Sequence, residues 1–230
     1  MAVTGYHINV DFFLEITKDS MLKRIGYASD EGLSPRIPSL IEEYFEKAKC
    51  LIDPSYSYII RDIDRVEEPL VFIKDSSILE SHIISETLKR CRSVAIFTST
   101  IGDELEKMVA WLGNSDAVLE SYILDAIGSE MIEKAADFVH GIIGELANIS
   151  GLAVSRRFSP GNCDWDISQQ KVIFEALGDK SGGVELSHDY LMIPTKSISG
   201  IIGVGSAESG IATYNPCKTC TDTNCLWRRE

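Results

Sequence analysis

An arginine beside a Pro-Gly turn is the first feature of this sequence that could bind a ligand. Residues 156–165 contain Arg157, followed closely by Pro160 and Gly161. Proline restricts its own φ and glycine adopts conformations that other residues avoid, so the pair predicts a tight turn that brings backbone amides close to a ligand. The planar guanidinium of Arg157 can pair bidentately with a carboxylate. Taken alone, a turn of this kind is more often structural than functional.

A cysteine cluster near the C-terminus is a second candidate site. It consists of three residues, Cys217, Cys220 and Cys225. The spacing Cys-x2-Cys-x4-Cys lets several thiolates converge on one centre, and thiolates favour zinc or an iron–sulfur cluster. We expect Cys163, in the Pro-Gly turn, to be the fourth ligand, whereas Cys50 and Cys91 are expected to be buried thiols. A [4Fe-4S] cluster, a structural zinc and thiols that bind no metal are all compatible with this spacing.

A long amphipathic helix is predicted at residues 117–148. Its apolar face is formed by Ile127, Met131, Ala135, Phe138 and Ile142. Its polar face carries Glu130, Glu133, Asp137 and His140. Both sets recur at the spacing of a helix with 3.6 residues per turn. A stripe of carboxylates on a helix is usually a solvated face, so periodicity alone assigns it no function.

The remaining elements indicate an α+β protein. Strands are predicted at residues 6–16, 56–61, 70–73, 93–99, 190–193, 198–204 and 210–214. Helices are predicted at residues 39–50, 77–91, from 102 onward and at 167–177, and residues 149–166 are predicted to form a loop. Helices dominate the middle and strands lie at both ends, which is not the regular alternation of a doubly wound fold. We expect residues 1–230 to form a single domain, in which helices flank a twisted antiparallel sheet and residues 217–225 form the C-terminal cysteine cluster.

Composition and charge exclude several classes of function. The 230 residues are 44% hydrophobic and 25% charged, as in ordinary globular proteins. A net charge of -13 repels phosphate backbones and anionic lipid surfaces, so neither nucleic acid nor a membrane is expected as a partner. The N-terminus lacks the pattern of a signal peptide, and no apolar run approaches the roughly 20 residues of a membrane helix. The protein is therefore expected in the reducing cytoplasm, where structural disulfides are rare.

Residues 191–200, which read Leu-Met-Ile-Pro-Thr-Lys-Ser-Ile-Ser-Gly, form a second motif. Together with the Arg157 turn, this motif resembles the activation domain of cobalamin-dependent methionine synthase. That family shows Arg-x-x-Pro-Gly-Tyr, a short helix and then Met-x-Pro-x-x-Ser-Val-Ser-Gly. The resemblance extends upstream through the long helix and covers roughly the C-terminal half of the chain. It implies a free-standing relative that binds S-adenosylmethionine and re-methylates an oxidised corrinoid carried by another protein.

The resemblance also implies roles for individual residues. Arg157 would hold the carboxylate of S-adenosylmethionine, and Glu133 would be the helix carboxylate that binds this ligand. Ser159, Pro160 and Gly161 fall where the family contacts the ligand from its turn.

The side of the turn that would face the corrinoid differs from the family. The tyrosine that follows Pro-Gly in the family is Asn162 here. Trp165 could supply part of the missing aromatic surface and face the corrinoid, or it could equally be a core residue. The sequence shows no counterpart of the family's N-terminal ligand-binding aspartate or of its C-terminal tyrosine.

The resemblance implies a partner as well as a ligand. The cobalamin would arrive on a corrinoid-binding protein, or on a methionine synthase that lacks its own activation domain, and an electron donor would reduce it. The chain would then be part of a methyltransferase system in methionine biosynthesis. One alternative is a pure binding module, either a non-catalytic adaptor for a corrinoid protein or an iron–sulfur electron carrier, which the missing aspartate and tyrosine favour. A second alternative is a metal–cysteine structural or regulatory protein whose C-terminal tail senses redox state.

Overall fold

The computed structural model describes residues 2–9, 12–13, 16–27, 34–74 and 77–218. Its strands are β1 (Ala2–His7), β2 (Ser55–Glu67), β3 (Leu70–Ile73), β4 (Ile78–Glu80), β5 (Ser93–Thr100), β6 (Leu152–Phe158), β7 (Glu185–Leu186), β8 (Met192–Ile193) and β9 (Ser197–Ser206). Its α-helices are α1 (Lys18–Arg24), α2 (Arg36–Leu51), α3 (His82–Leu88), α4 (Glu104–Gly113), α5 (Val118–Ile149) and α6 (Gln170–Leu177). A 3-10 turn at Ile167–Gln169 leads into α6.

Seven strands form one antiparallel sheet in the order β4-β3-β2-β5-β9-β6, and β1 pairs with the first part of β2. All eight residues of β5 are buried, because both faces of the sheet are covered. Ala95 and Phe97 belong to the core on one face, and Val94 and Ile96 belong to the core on the other. This explains the continuous apolar run in the sequence, since a strand covered on both faces needs no polar alternation.

Helices cover the two faces unequally. The larger core lies under α1, α2, α4 and α5, and the smaller core lies under α3, α6 and the side chain of Trp165. The long helix α5 is one continuous element of 32 residues, which confirms the prediction for residues 117–148. Inside it, a Cβ at Gly128 would lie 2.6 Å from Cδ2 of Leu105, so this glycine lets α4 approach α5 closely. The α+β class with flanking helices is confirmed.

Four local predictions were wrong. The stretch 77–91 contains β4 followed by α3, because a three-residue strand leads directly into a helix whose N-cap is Ser81. Residues 210–214 form turns instead of a strand, and β1 ends well before residue 16. Residues 152–158, predicted as loop, form the edge strand β6. Among the described residues, no helix is both long and apolar enough to cross a bilayer.

Candidate functional site

The structure brings Arg157 of β6 to the polar face of α5. Its Nη2 lies 2.7 Å from Oδ1 of Asp137 and 3.2 Å from Oε2 of Glu133. The arginine is 24 residues from Glu133 and 20 residues from Asp137 in the sequence, so only the packing of β6 against α5 produces this cluster. Two residues selected by the sequence resemblance, Arg157 and Glu133, are therefore direct neighbours.

A β-bulge directs Arg157 toward α5. Val154 pairs with Val204 of β9, and Arg157 pairs with Ile202, so three steps along β6 oppose two steps along β9. Side chains alternate between the two faces of a regular strand. Arg157 lies three residues after Val154, so in a strand without a bulge the two side chains would lie on opposite faces. The extra residue of the bulge places Arg157 on the same face as Val154, whose side chain packs against the core under α5.

Ser155 and His140 stabilise this bulge. The hydroxyl of Ser155 accepts a 2.8 Å hydrogen bond from the backbone N–H of Gly203, and Ser155 is only 2% exposed. Nε2 of His140 on α5 lies 2.9 Å from the carbonyl oxygen of Ser155. Since a carbonyl only accepts, Nε2 carries the proton and donates it. Sequence reasoning placed His140 on the polar face but gave it no role, and it missed Ser155, for which no local signal exists.

The charges of the cluster do not balance. One guanidinium faces two carboxylates, which leaves a formal charge of -1 (+1 for Arg157, -2 for Glu133 and Asp137). The Arg157 side chain is 18% exposed, whereas those of Glu133 and Asp137 are 43% and 60% exposed. The site can therefore bind a carboxylate through the arginine and a cationic group through an acidic side chain.

The Pro-Gly turn begins directly after Arg157 and contacts the second motif. Gly161 has a φ of +91°, and its N–H donates to the carbonyl of Trp165 at 2.7 Å, so the turn is closed. A Cβ on Gly200 of β9 would overlap the carbonyl oxygen of Phe158 and lie 3.1 Å from Oγ of Ser159. The last glycine of the second motif is thus needed for the turn to cross β9 at this point.

The structure does not place Trp165 on the surface. Trp165 is 1% exposed within the smaller core, and its Nε1–H donates to Oε1 of Gln169 at 3.4 Å. The prediction that its ring faces a corrinoid does not fit this burial, because the side chain packs under the sheet. Asn162 is partly buried, and its N–H donates to the carbonyl of Ser159 at 3.0 Å.

A second cation also links the sheet to α5. Nζ of Lys196, which lies in the second motif, is 2.7 Å from Oδ1 of Asp125 and 2.8 Å from Oγ of Ser129. Its side chain is 13% exposed. Asp125, Ser129, Glu133 and Asp137 follow one another at intervals of four residues, so they share one side of α5. Lys196 was not singled out from the sequence.

The predicted cysteine site lies partly outside the described residues. Cys220 and Cys225 are not among the residues that the structure describes, and Cys217 is partly buried while Cys163 is exposed. Within the described part of the chain, no group of three or more metal-ligating side chains could hold an ion. The metal site therefore stays a prediction.

The two other cysteines differ from each other in environment. Cys50 is exposed at the end of α2, so the prediction that it is buried was wrong. Cys91 is partly buried, and desolvation raises the pKa of its thiol to about 12.

A cleft of about 450 Å³ lies elsewhere in the fold. It is lined by residues that include Thr100, Asp103, Glu106, Glu185 and Pro194. None of the residues predicted to bind a ligand lines it, so the Arg157 cluster belongs to a different surface.

Comparisons with known proteins identify the fold. No protein-family model matches the chain, and no curated protein matches it either. Among solved structures, a crystal structure described as the MetH reactivation domain bound to AdoHcy is similar, with a TM-score of 0.61 and 15% sequence identity. The match covers 88% of this chain and 77% of that chain. The chain therefore has the fold of the MetH reactivation domain, which is the domain that its C-terminal motifs resemble.

Proposed function

We propose that this protein binds S-adenosylmethionine beside Arg157 and re-methylates the oxidised corrinoid of a separate protein. The observation that carries the proposal is the contact between Arg157 and Glu133, the two residues that the family resemblance assigns to the ends of the ligand's amino-acid group. Support also comes from the fold, which matches a reactivation domain whose crystal structure contains AdoHcy, the demethylated form of the same ligand.

The chain's own residues would bind and orient the ligand. Arg157 would pair with its carboxylate, and Glu133 would bind its amino group or its sulfonium. Ser159, Pro160 and Gly161 would contact the ligand from the turn that crosses β9. Asn162 would lie toward the corrinoid in place of the family's tyrosine, and its amide offers hydrogen bonds where that ring offers an aromatic face.

The reaction needs positioning more than acid–base catalysis. The chemistry would come from the partner's corrinoid, which, once reduced by one electron from an external donor, would take the methyl group as a nucleophile. The electron pair of the methyl C–S bond would stay on sulfur, so S-adenosylhomocysteine would leave and this chain would need no residue for proton transfer. A rigid arginine and a preformed turn suit this task, because fixing the methyl group in line with its acceptor lowers the entropic part of the barrier.

The cysteine cluster fits this function as an accessory centre. Cys217, Cys220 and Cys225, with Cys163 from the ligand turn, would hold either zinc or a [4Fe-4S] cluster. An iron–sulfur cluster would supply one-electron transfer close to the corrinoid, and zinc would stabilise the C-terminal segment.

Calorimetric titration of the anaerobically purified chain with S-adenosylmethionine tests the proposal. We expect saturable binding that weakens by about 10- to 150-fold in Arg157→Ala, since a charge-assisted hydrogen bond contributes about 1.5 to 3 kcal/mol. Arg156→Ala is the matched control, because the neighbouring arginine bonds to Asn215 instead of the acidic pair. Iron, sulfide and zinc are assayed on the same sample.

The outcomes separate the proposed function from its rivals. Absence of binding at millimolar ligand would refute methyl transfer and favour a corrinoid-protein adaptor. Iron and sulfide without ligand binding would favour an electron carrier, and equal affinities in the two arginine variants would remove Arg157 from the site.

A further inference from the structure

Both hydrogens of Arg157 Nη2 are engaged by acidic residues of the chain itself. Asp137 and Glu133 each contact this nitrogen, which carries two N–H groups. A carboxylate can pair bidentately with a guanidinium either through Nη1 and Nη2 or through Nε and Nη2. Each arrangement uses one hydrogen of Nη2. An incoming carboxylate can therefore form a bidentate pair only if one of the two acidic side chains releases that atom.

The exposure of the side chains indicates which one is released. Asp137 is 60% exposed, so its carboxylate can turn into water and regain its hydration there. An exposed ion pair contributes little free energy, because water solvates both charges almost as well when the pair opens. Glu133 is more enclosed, at 43%, and Arg157 is held at 18%. Releasing Asp137 is therefore the easier of the two changes.

We propose that Asp137 is a built-in competitor for the carboxylate of the ligand. Without ligand it holds the guanidinium in place, and it must leave Nη2 before the ligand's carboxylate can pair bidentately. The inference rests on the proposed function and adds selectivity to it. An adenosine derivative without a carboxylate does not displace Asp137, and Arg157 adds nothing to its affinity.

Substitution of Asp137 by asparagine tests this competition. S-adenosylhomocysteine is the probe, because its net charge is zero. Removing one negative charge from the protein therefore does not change the long-range attraction between the protein and this ligand. We expect Asp137→Asn to bind this probe about two- to fivefold more tightly, the fold-change that corresponds to losing an exposed ion pair. Methylthioadenosine, which lacks the amino-acid end, should bind the variant and the wild type equally.

Asp125→Asn is the matched control. Asp125 is another half-exposed aspartate of α5, and it is paired at 2.7 Å with Lys196 instead of Arg157. It lies 12 residues before Asp137, which is about 18 Å along the helix axis. The substitution changes the charge equally and should leave the affinity for S-adenosylhomocysteine unchanged.

Two results would overturn the inference, and they can be told apart. If the wild type binds S-adenosylhomocysteine but Asp137→Asn binds it equally or more weakly, Asp137 is not a competitor, and weaker binding would assign it to the ligand's ammonium group. If neither protein binds the probe at millimolar concentration, the proposed function fails and the competition fails with it.

Discussion

Replacing Ser155 with alanine tests whether the bulge in β6 positions Arg157. Ser155 is 2% exposed, and its hydroxyl accepts the N–H of Gly203 at 2.8 Å. Alanine removes this acceptor and leaves a buried N–H without a partner, which costs about 1 to 3 kcal/mol of folding free energy. The same hydroxyl donates to the carbonyl of Arg156 at 2.7 Å, so alanine removes this contact too, while the hydrogen bond from His140 to the carbonyl of Ser155 remains.

Urea unfolding followed by circular dichroism measures the loss of stability. With an m value of about 2 kcal/mol per molar urea, the midpoint should fall by about 0.5 to 1.5 M. Ser115→Ala is the control, since Ser115 is exposed and its hydroxyl donates to the carbonyl of Leu112 at 2.8 Å. Its stability should stay within about 0.5 kcal/mol of the wild type.

Ligand binding by the folded Ser155→Ala protein completes the test. We expect weaker binding of S-adenosylhomocysteine, because a loosened bulge no longer fixes the direction of Arg157. If the two serine variants unfold at the same midpoint, the hydroxyl of Ser155 does not stabilise β6. If Ser155→Ala is less stable but binds the ligand normally, the bulge does not position the arginine.

Two further predictions concern the packing around the site and the reactivity of the thiols. Gly200→Ala should lose about 1 to 3 kcal/mol of stability, because the new Cβ overlaps the carbonyl oxygen of Phe158. Gly141→Ala in α5 should instead gain about 0.5 to 1 kcal/mol, because its Cβ meets open space and alanine favours the helix. Thermal unfolding of both variants checks this, and equal melting temperatures would contradict the close approach. Alkylation at pH 8 should label Cys50 and spare Cys91, whose raised pKa keeps its thiol protonated. Peptide mapping that finds the two cysteines equally labelled would show that Cys91 is not desolvated.

Features that depend on neighbouring residues could be predicted from the sequence. The helix α5 was predicted because its apolar side chains recur every 3.6 residues, and that periodicity is a local property. The strand β5 was predicted from its continuous apolar run. Arg157 and Glu133 were selected because motifs around them resemble a known domain; the structure shows that their side chains are in contact, and their role in ligand binding stays a prediction. The cysteine motif predicts a metal site by the same local reasoning.

Other features exist only because distant segments meet. Sequence patterning predicted a loop where β6 lies, since the bulge at Ser155 breaks the alternation that marks a strand. The bulge is defined by pairing with Gly203, 48 residues further along the chain, and by His140 on another element. The roles of Asp137 and Lys196 likewise depend on which side of α5 faces the sheet. From the sequence alone, Arg157 and Glu133 are predicted to bind a charged ligand. Tertiary packing brings Glu133 and Asp137 to the same guanidinium of Arg157, because hydrogen bonds act over a few ångströms of space whatever the separation along the chain.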